Sequence, residues 1–286
     1  MERVRKFRLE NEKAQVFDLM DIENYAFLSN PSGLGLEYDT QYYRIDEDYR
    51  VNNSYTQQGN ITGDLLFSTY ENYSNFIYFV ESASELRLIY SVPKNNGNYE
   101  EFYRIVKLEQ ISKGEKEKIG ILNCSVSFKA LTNYRKTDML VATYGLDDGN
   151  ELRWDFTWDS YFTNYSNNNI YFNANTNLDV AYTVEMEGEL ENPRIIAVLE
   201  NKKEITLLSH NGLLPKGHKL IKSTKEDDVK LIYIDEKGNE KNLFQDIDIK
   251  ECNFQKIPKN VSYIKVEADT DIYNIKITLY PEWRSV

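Results

Sequence analysis

The sequence predicts a mainly β chain with one substantial helix, arranged as an N-terminal α+β domain followed by an antiparallel β-sandwich. Three observations predict it. Apolar and polar residues alternate with period two through most short runs, and a single segment steps instead in threes and fours. In the second half, strand-like runs recur about every ten residues between turns such as "DDGN" and "EKGN". Composition points the same way: 22 Tyr and 13 Phe favour strands, and only 13 Gly are present in 286 residues.

The elements follow in order. "VRKFRLE", "AQVFDLMD", "YAFLS", "LGLEYDTQYYRI" and "YRVNNSY" alternate as half-buried strands do. Between the third and fourth lies "SNPSGLG", a turn in which Pro31 fixes φ and Gly33 or Gly35 is free to take positive φ. The surrounding "FLSNPSGLGLEYDTQYYRI" reads as strand, turn, strand, with Tyr38, Tyr42 and Tyr43 packed in the core or at a subunit contact. "STYENYSNFIYFVESAS" places Tyr70, Tyr73, Phe76, Ile77 and Val80 on one helical face, with Ser68 or Thr69 as N-cap and Glu71 in the first turn. "ELRLIYSV" is then a strand, and "EEFYRIVKLEQIS" and "IGILNCSVSFKALT" form a long hairpin whose mixed-charge tip is Lys113 to Lys118.

This unit ends near Thr132. Periodicity fades over residues 133–150, the expected linker or arm, and residues 151–286 are read as the sandwich domain. No 20 to 50 residue repeat is visible.

Charge and composition exclude several function classes. The formal net charge is −12, both halves are acidic, and no basic cluster is present to release counterions from nucleic acid. No window approaches the roughly 18 apolar residues of a membrane span, and "MERVRKFRLENEK" has no apolar stretch behind its basic start. Cys124 and Cys252 lie in strand-like runs far apart and read as core thiols, not as a disulfide. His210 and His218 sit in "SHNGLLPKGHKL", an exposed loop by its Asn-Gly and Lys-Gly pairs, at a spacing that matches no helical metal pair. "LDDGNEL", Leu146 to Leu152, lacks the alternating acids of a calcium loop, and "SGLGLE" lacks the third glycine of a dinucleotide loop. Carboxylates abound, but none is singled out as an acid and base pair. The expectation is no catalytic residue, no metal ligand and no cofactor. An alternative is a carbohydrate-binding adhesin, with Trp154 or Trp158 stacking on sugars; core packing in "LRWDFTW" competes with it. "ELENPRI" contains Asn192-Pro193-Arg194, similar to the Asn-Pro-Arg core of galectin sugar sites, but Leu190 stands where those sites carry histidine.

The ordered set of segments resembles a known family. "FDL", "FLSNPSGLGLEYDTQY", "GDLLF", "YENYSNFIYFVE", "LRLIYSVP", "FYRIVKLEQI" and "LNCSVSFKALTNY", from Phe17 to Tyr134, are similar to the distal tail proteins of long-tailed phages that infect Gram-positive bacteria. "VEMEGELENPRIIAV" and "IPKNVSYIKVEADTDIYNIKITLYPEW" resemble parts of that family's galectin-like domain. The resemblance implies a tail-tube-like ring domain followed by a galectin-like sandwich, in a non-enzymatic virion protein of the tail tip. It implies a homohexamer with the tail tube protein, tail-tip proteins and receptor-binding baseplate proteins as partners, no membrane, and DNA only as passing cargo. It also implies assembly in the bacterial cytoplasm. An acidic chain suits a channel for DNA, because it repels phosphate. Open strand edges joined between neighbours are one way to close such a ring.

Overall fold

The computed structural model describes residues 5–94, 97–116, 120–136, 140–144, 169–171, 176–244, 254–270 and 275–286. It divides into two units, Met1–Thr137 with Trp283–Val286, and Asp138–Glu282.

The first unit is built on an antiparallel sheet. In chain order its elements are β1 (Lys6–Asn11), β2 (Val16–Asp18), β3 (Phe27–Ser32), β4 (Tyr38–Ile45), β5 (Asp48–Thr56), β6 (Asn60–Phe67), α1 (Tyr70–Glu81), β7 (Leu86–Pro93), β8 (Tyr99–Ile111), β9 (Leu122–Ala130) and β10 (Tyr134–Lys136). The strands run β2-β1-β7-β8-β9-β6-β3 across the sheet, and β10 also pairs with β8. Alternation decides which face is buried. Leu122, Cys124, Val126 and Phe128 of β9 and Ile61, Leu65 and Phe67 of β6 point into one core, while Asn123, Ser125 and Ser127 point out. Cys124 is accordingly a buried free thiol.

The helix closes this core. Thr69 caps it, its hydroxyl accepting from Asn72 N at 3.0 Å, and Glu71 lies in the first turn. Phe76 is fully buried, edge-on to Phe17 at 5.3 Å and tilted against Phe67 at 5.8 Å. The charged segment after β8 folds toward the same helix, with Lys113 Nζ 5.5 Å and 5.3 Å from the rings of Tyr70 and Tyr73.

Two sequence expectations change here. The stretch expected as a linker supplies β10: Tyr134 is 1 % exposed, and Arg135 and Lys136 register with Tyr103 and Phe102. Short strands of this kind give too few residues for a period to be read. Of the two candidate turn glycines only Gly33 needs its freedom. Its φ is +76° and an added Cβ would lie 1.8 Å from the Asn60 carbonyl oxygen, whereas Gly35 has open space around it.

The second unit holds two antiparallel sheets around one core. β11 (Leu140–Tyr144), β13 (Ala181–Glu187), β18 (Lys219–Lys225), β19 (Asp228–Ile234), β20 (Glu240–Asn242) and β22 (Ile275–Tyr280) form one sheet, in the order β11-β22-β13-β18-β19-β20. β12 (Asn169–Tyr171), β15 (Arg194–Leu199), β16 (Glu204–Ser209) and β21 (Val261–Glu267) form the other, in the order β12-β21-β15-β16. Tyr182, Val184, Ile275 and Ile277 from the first meet Ile195, Ala197, Ile264 and Val266 from the second in a shared core. The short pair β14 (Leu190–Glu191) and β17 (Leu213–Leu214) adds Leu190 and Leu214. This is the sandwich that period-two runs at regular spacing imply.

Candidate functional site

The element that stands out is the pair β4 and β5. These two strands register from Tyr38↔Thr56 to Ile45↔Asp48 as a sheet of their own, separate from the large one. Every residue from Gln41 to Tyr55 is exposed. A two-stranded ribbon without a packed face is marginally stable in water, yet this one carries five tyrosines, Tyr38, Tyr42, Tyr43, Tyr49 and Tyr55.

Its two faces differ. Cross-strand partners share a face, so Tyr38, Thr40, Tyr42, Tyr49, Val51, Ser54 and Thr56 lie together with Arg44 as their one charge. Thr40 Oγ1 and Ser54 Oγ, 2.8 Å apart, confirm the register. Asp39, Gln41, Tyr43, Ile45, Asp48, Arg50, Asn53 and Tyr55 make the opposite face, where Tyr55 Oη donates to Asp39 Oδ2 at 2.7 Å. On the first face Tyr42, Tyr49 and Val51 are 63 %, 70 % and 56 % exposed. Exposed aromatics that pair a large apolar ring with a hydroxyl are typical of contact surfaces. The turn end is Asp46 and Glu47, with Asp46 in the left-handed region at φ 54° and its carbonyl accepting from Arg44 Nε at 2.6 Å.

The root of the ribbon is as fixed as its shaft is free. Leu34 is buried and its carbonyl accepts from Tyr134 Oη at 3.1 Å. Gln58 Nε2 donates to the Ala130 carbonyl at 3.0 Å, and Ala130 N donates to the Gly59 carbonyl at 2.9 Å. Behind them Arg104 lies over the Tyr134 ring, 3.9 Å from its centre, and its Nη2 donates to the Arg284 carbonyl at 2.8 Å. Nε and Nη1 of this buried guanidinium have no partner among the described residues. Burial lowers the Arg104 pKa and pushes the Tyr134 phenol up to about 12. Trp283, edge-on to Phe102 at 5.4 Å, completes the cluster.

The sequence reading placed Tyr38, Tyr42 and Tyr43 in the core or at a subunit contact. Exposures of 50 %, 63 % and 45 % remove them from this chain's core. Tyr49, Val51 and Tyr55 belong with them and were not singled out, although the alternation of "YRVNNSY" was visible. The strand-turn-strand order is present as β3 and β4, and the two strands take different partners: β3 joins β6, and β4 joins β5. Strand-edge joining has little to work with in the large sheet, because β2 has three residues and β3 is broken by a register shift between Ser29 and Ser32 that contains Pro31.

The remaining candidates do not converge. Asn192 spends its amide locally, Nδ2 donating to Asp269 Oδ2 at 2.6 Å and Oδ1 accepting from Gly212 N at 2.7 Å, so it is not held out for a sugar. The two histidines lie in the expected loop but are partly buried and not exposed. His218 Nδ1 lies 2.6 Å from Tyr233 Oη, and burial lowers the His210 pKa. Trp154, Trp158, Cys252 and the Leu146 to Leu152 turn lie outside the described residues. No three His, Cys, Asp or Glu side chains stand together as metal ligands among the described residues, and no described helix is long and apolar enough to cross a membrane.

Comparison with known proteins adds the following. Residues 6–131 match the family profile described as distal tail protein, N-terminal domain. The whole chain is similar to a chain in the structure of the phage P2 baseplate in its activated conformation with Ca, at 13 % identity and TM-score 0.56, covering 99 % of this chain and 100 % of that one. It is similar to the SPP1 Dit protein, described as a paradigm of the hub adsorption apparatus in phages infecting Gram-positive bacteria, at 11 % identity and TM-score 0.57, covering 98 % and 100 %. No curated protein matches.

Proposed function

We propose, from the premise that this chain is a distal tail protein, a structural component of a phage tail and baseplate and not an enzyme, that six copies form the ring joining the tail tube to the receptor-binding apparatus. In this reading the first unit stacks on the tail tube protein, and the second is a galectin-like domain that anchors tail-tip and receptor-binding proteins. DNA passes through the ring without binding to it. Assembly takes place in the host cytoplasm before the tail is complete.

The observation that carries the ring is the β4 and β5 ribbon. Its tyrosine face finds no cover among the described residues of its own chain, and a neighbouring copy supplies the surface that makes such a ribbon stable. The net charge of −12 supports the passage of DNA, since phosphate is repelled.

Light scattering on the purified chain tests the reading. The expected mass is six times 33.6 kDa, falling toward a single chain when Tyr42 and Tyr49 are both replaced by alanine. A chain that stays monomeric at the highest attainable concentration, alone and with tail tube protein added, overturns it.

A further inference from the structure

The sheet beside the ribbon root carries a second unusual feature. Lys107 of β8 and Lys129 of β9 stand directly opposite one another in register. Both point away from the core, because their neighbours Val106, Phe128 and Ala130 are the buried ones. Like charges directly across a strand pair are destabilising, and neither lysine forms an ion pair with a described residue. Elsewhere on this face cations are matched: Arg8 holds Glu101 with bonds of 2.6 and 2.8 Å. On the same face of β6, β8 and β9 an open groove of about 410 Å³ is lined by Asn30, Thr62, Gln110, Ser125 and Ser127, with Asp64 as its one carboxylate.

We propose that the turn end of one copy's ribbon, Asp46, Glu47 and Asp48, seats on Lys107 and Lys129 of the next copy and lays the ribbon along that groove. This rests on the self-assembly reading above and names the surface that receives the ribbon. The charges are complementary: three consecutive carboxylates form the extremity, while Arg44 and Arg50 stand behind them in the shaft. The occupant is a second copy and not the chain's own ribbon. Lys129 registers with Asn60 at the root, where Gly59 is bonded to Ala130. A strand of this length carries the turn end about 30 Å from the root at roughly 3.3 Å per residue, so a chain cannot present its own tip to its own lysines. A contact between different patches runs head to tail, the kind that closes into a ring.

Charge exchange tests it. Asp46→Lys with Glu47→Lys and Asp48→Lys is one variant, and Lys107→Glu with Lys129→Glu is the other. Each is checked for folding by circular dichroism, with Lys107→Gln and Lys129→Gln in reserve should the glutamates unfold the sheet. The expected result is that each variant alone weakens assembly by tenfold or more, an ordinary range for a lost charge contact, and that the two mixed or combined restore it. Assembly of the unaltered chain should also weaken with added salt. An unaltered ring mass in both variants overturns this contact and leaves the ring standing. Loss in each without restoration in combination overturns it as well. A strictly monomeric unaltered chain overturns the ring and the contact together.

Discussion

The first unit contains two long antiparallel strand pairs, β4 with β5 and β8 with β9, and only one of them has a core. Both alternate in sequence, and both carry an aromatic or apolar residue at every second position over much of their length. In β9 the inward positions are Leu122, Cys124, Val126 and Phe128, all buried. In the ribbon they are Tyr38, Tyr42, Tyr49 and Val51 with Thr40, Ser54 and Thr56, of which the four large ones are half exposed or more. The leucine, valine and phenylalanine of β9 are covered by the chain itself, while most of the ribbon's face is tyrosine, threonine and serine, whose hydroxyls tolerate water. Period two therefore reports the pleat, and the chemistry of the apolar side chains reports who covers it.

The sharpest way to break the comparison is to remove one ring from each pair. Phe128→Ala empties a site with no exposure in the core of β6, β9 and α1, and unit stability should fall by about 3 to 5 kcal/mol in urea unfolding. Tyr49→Ala should change stability by less than about 0.5 kcal/mol and act on assembly instead. Equal losses in both variants would mean that the ribbon folds against its own chain.

Next comes the hinge between ribbon and sheet. Gly33→Ala places a Cβ where the Asn60 carbonyl stands and asks an L side chain to hold φ +76°, at a cost of about 1 to 3 kcal/mol. Gly35→Ala meets nothing and should be silent. Hydrogen exchange at Leu34 and Gln58 should rise in the first variant and not in the second.

Much of this was legible in the sequence, and the failures share a cause. The helix was readable because Phe76, Ile77 and Val80 impose a three- and four-residue step behind a capping threonine, all local features. The two-sheet sandwich was readable because its buried runs recur between turns. Tyr134 was missed: its role depends on Arg104 and Leu34, thirty and a hundred residues away, and no periodic pattern encodes a contact of that kind. The exposure of the ribbon was missed because alternation is the same whether a face meets a core or a neighbour. The facing lysines were invisible until the register of β8 on β9 was known.

Tyr134 gives a smaller effect with a defined pH window. Its phenol is raised by burial to about 12, against about 10 in an unfolded chain. Between those values the unfolded chain binds fewer protons than the folded one, so stability falls as pH rises. Below pH 10 the contribution is fully present. The slope should approach about 1.4 kcal/mol per pH unit and vanish in Tyr134→Phe, which keeps the ring under Arg104 and gives up the bond to the Leu34 carbonyl. Unchanged alkaline sensitivity in that variant would assign the loss to other groups.

The smallest effect is expected at Tyr55, and its smallness is informative. Its hydroxyl donates to Asp39 on the charged face, and that bond raises the phenol pKa. In β8 and β9 a lost hydrogen bond would weaken the whole cooperative unit, because the strands are tied to a core. In a ribbon with no core the bond constrains only its own two strands, so Tyr55→Phe should leave the unfolding midpoint of the first unit unmoved. Amide exchange between Asp39 and Tyr55 should quicken in a monomeric preparation and slow again in the proposed ring. A shifted unfolding midpoint in the monomer would show that the ribbon and sheet fold as one body, and the contrast between the two strand pairs would then be one of degree.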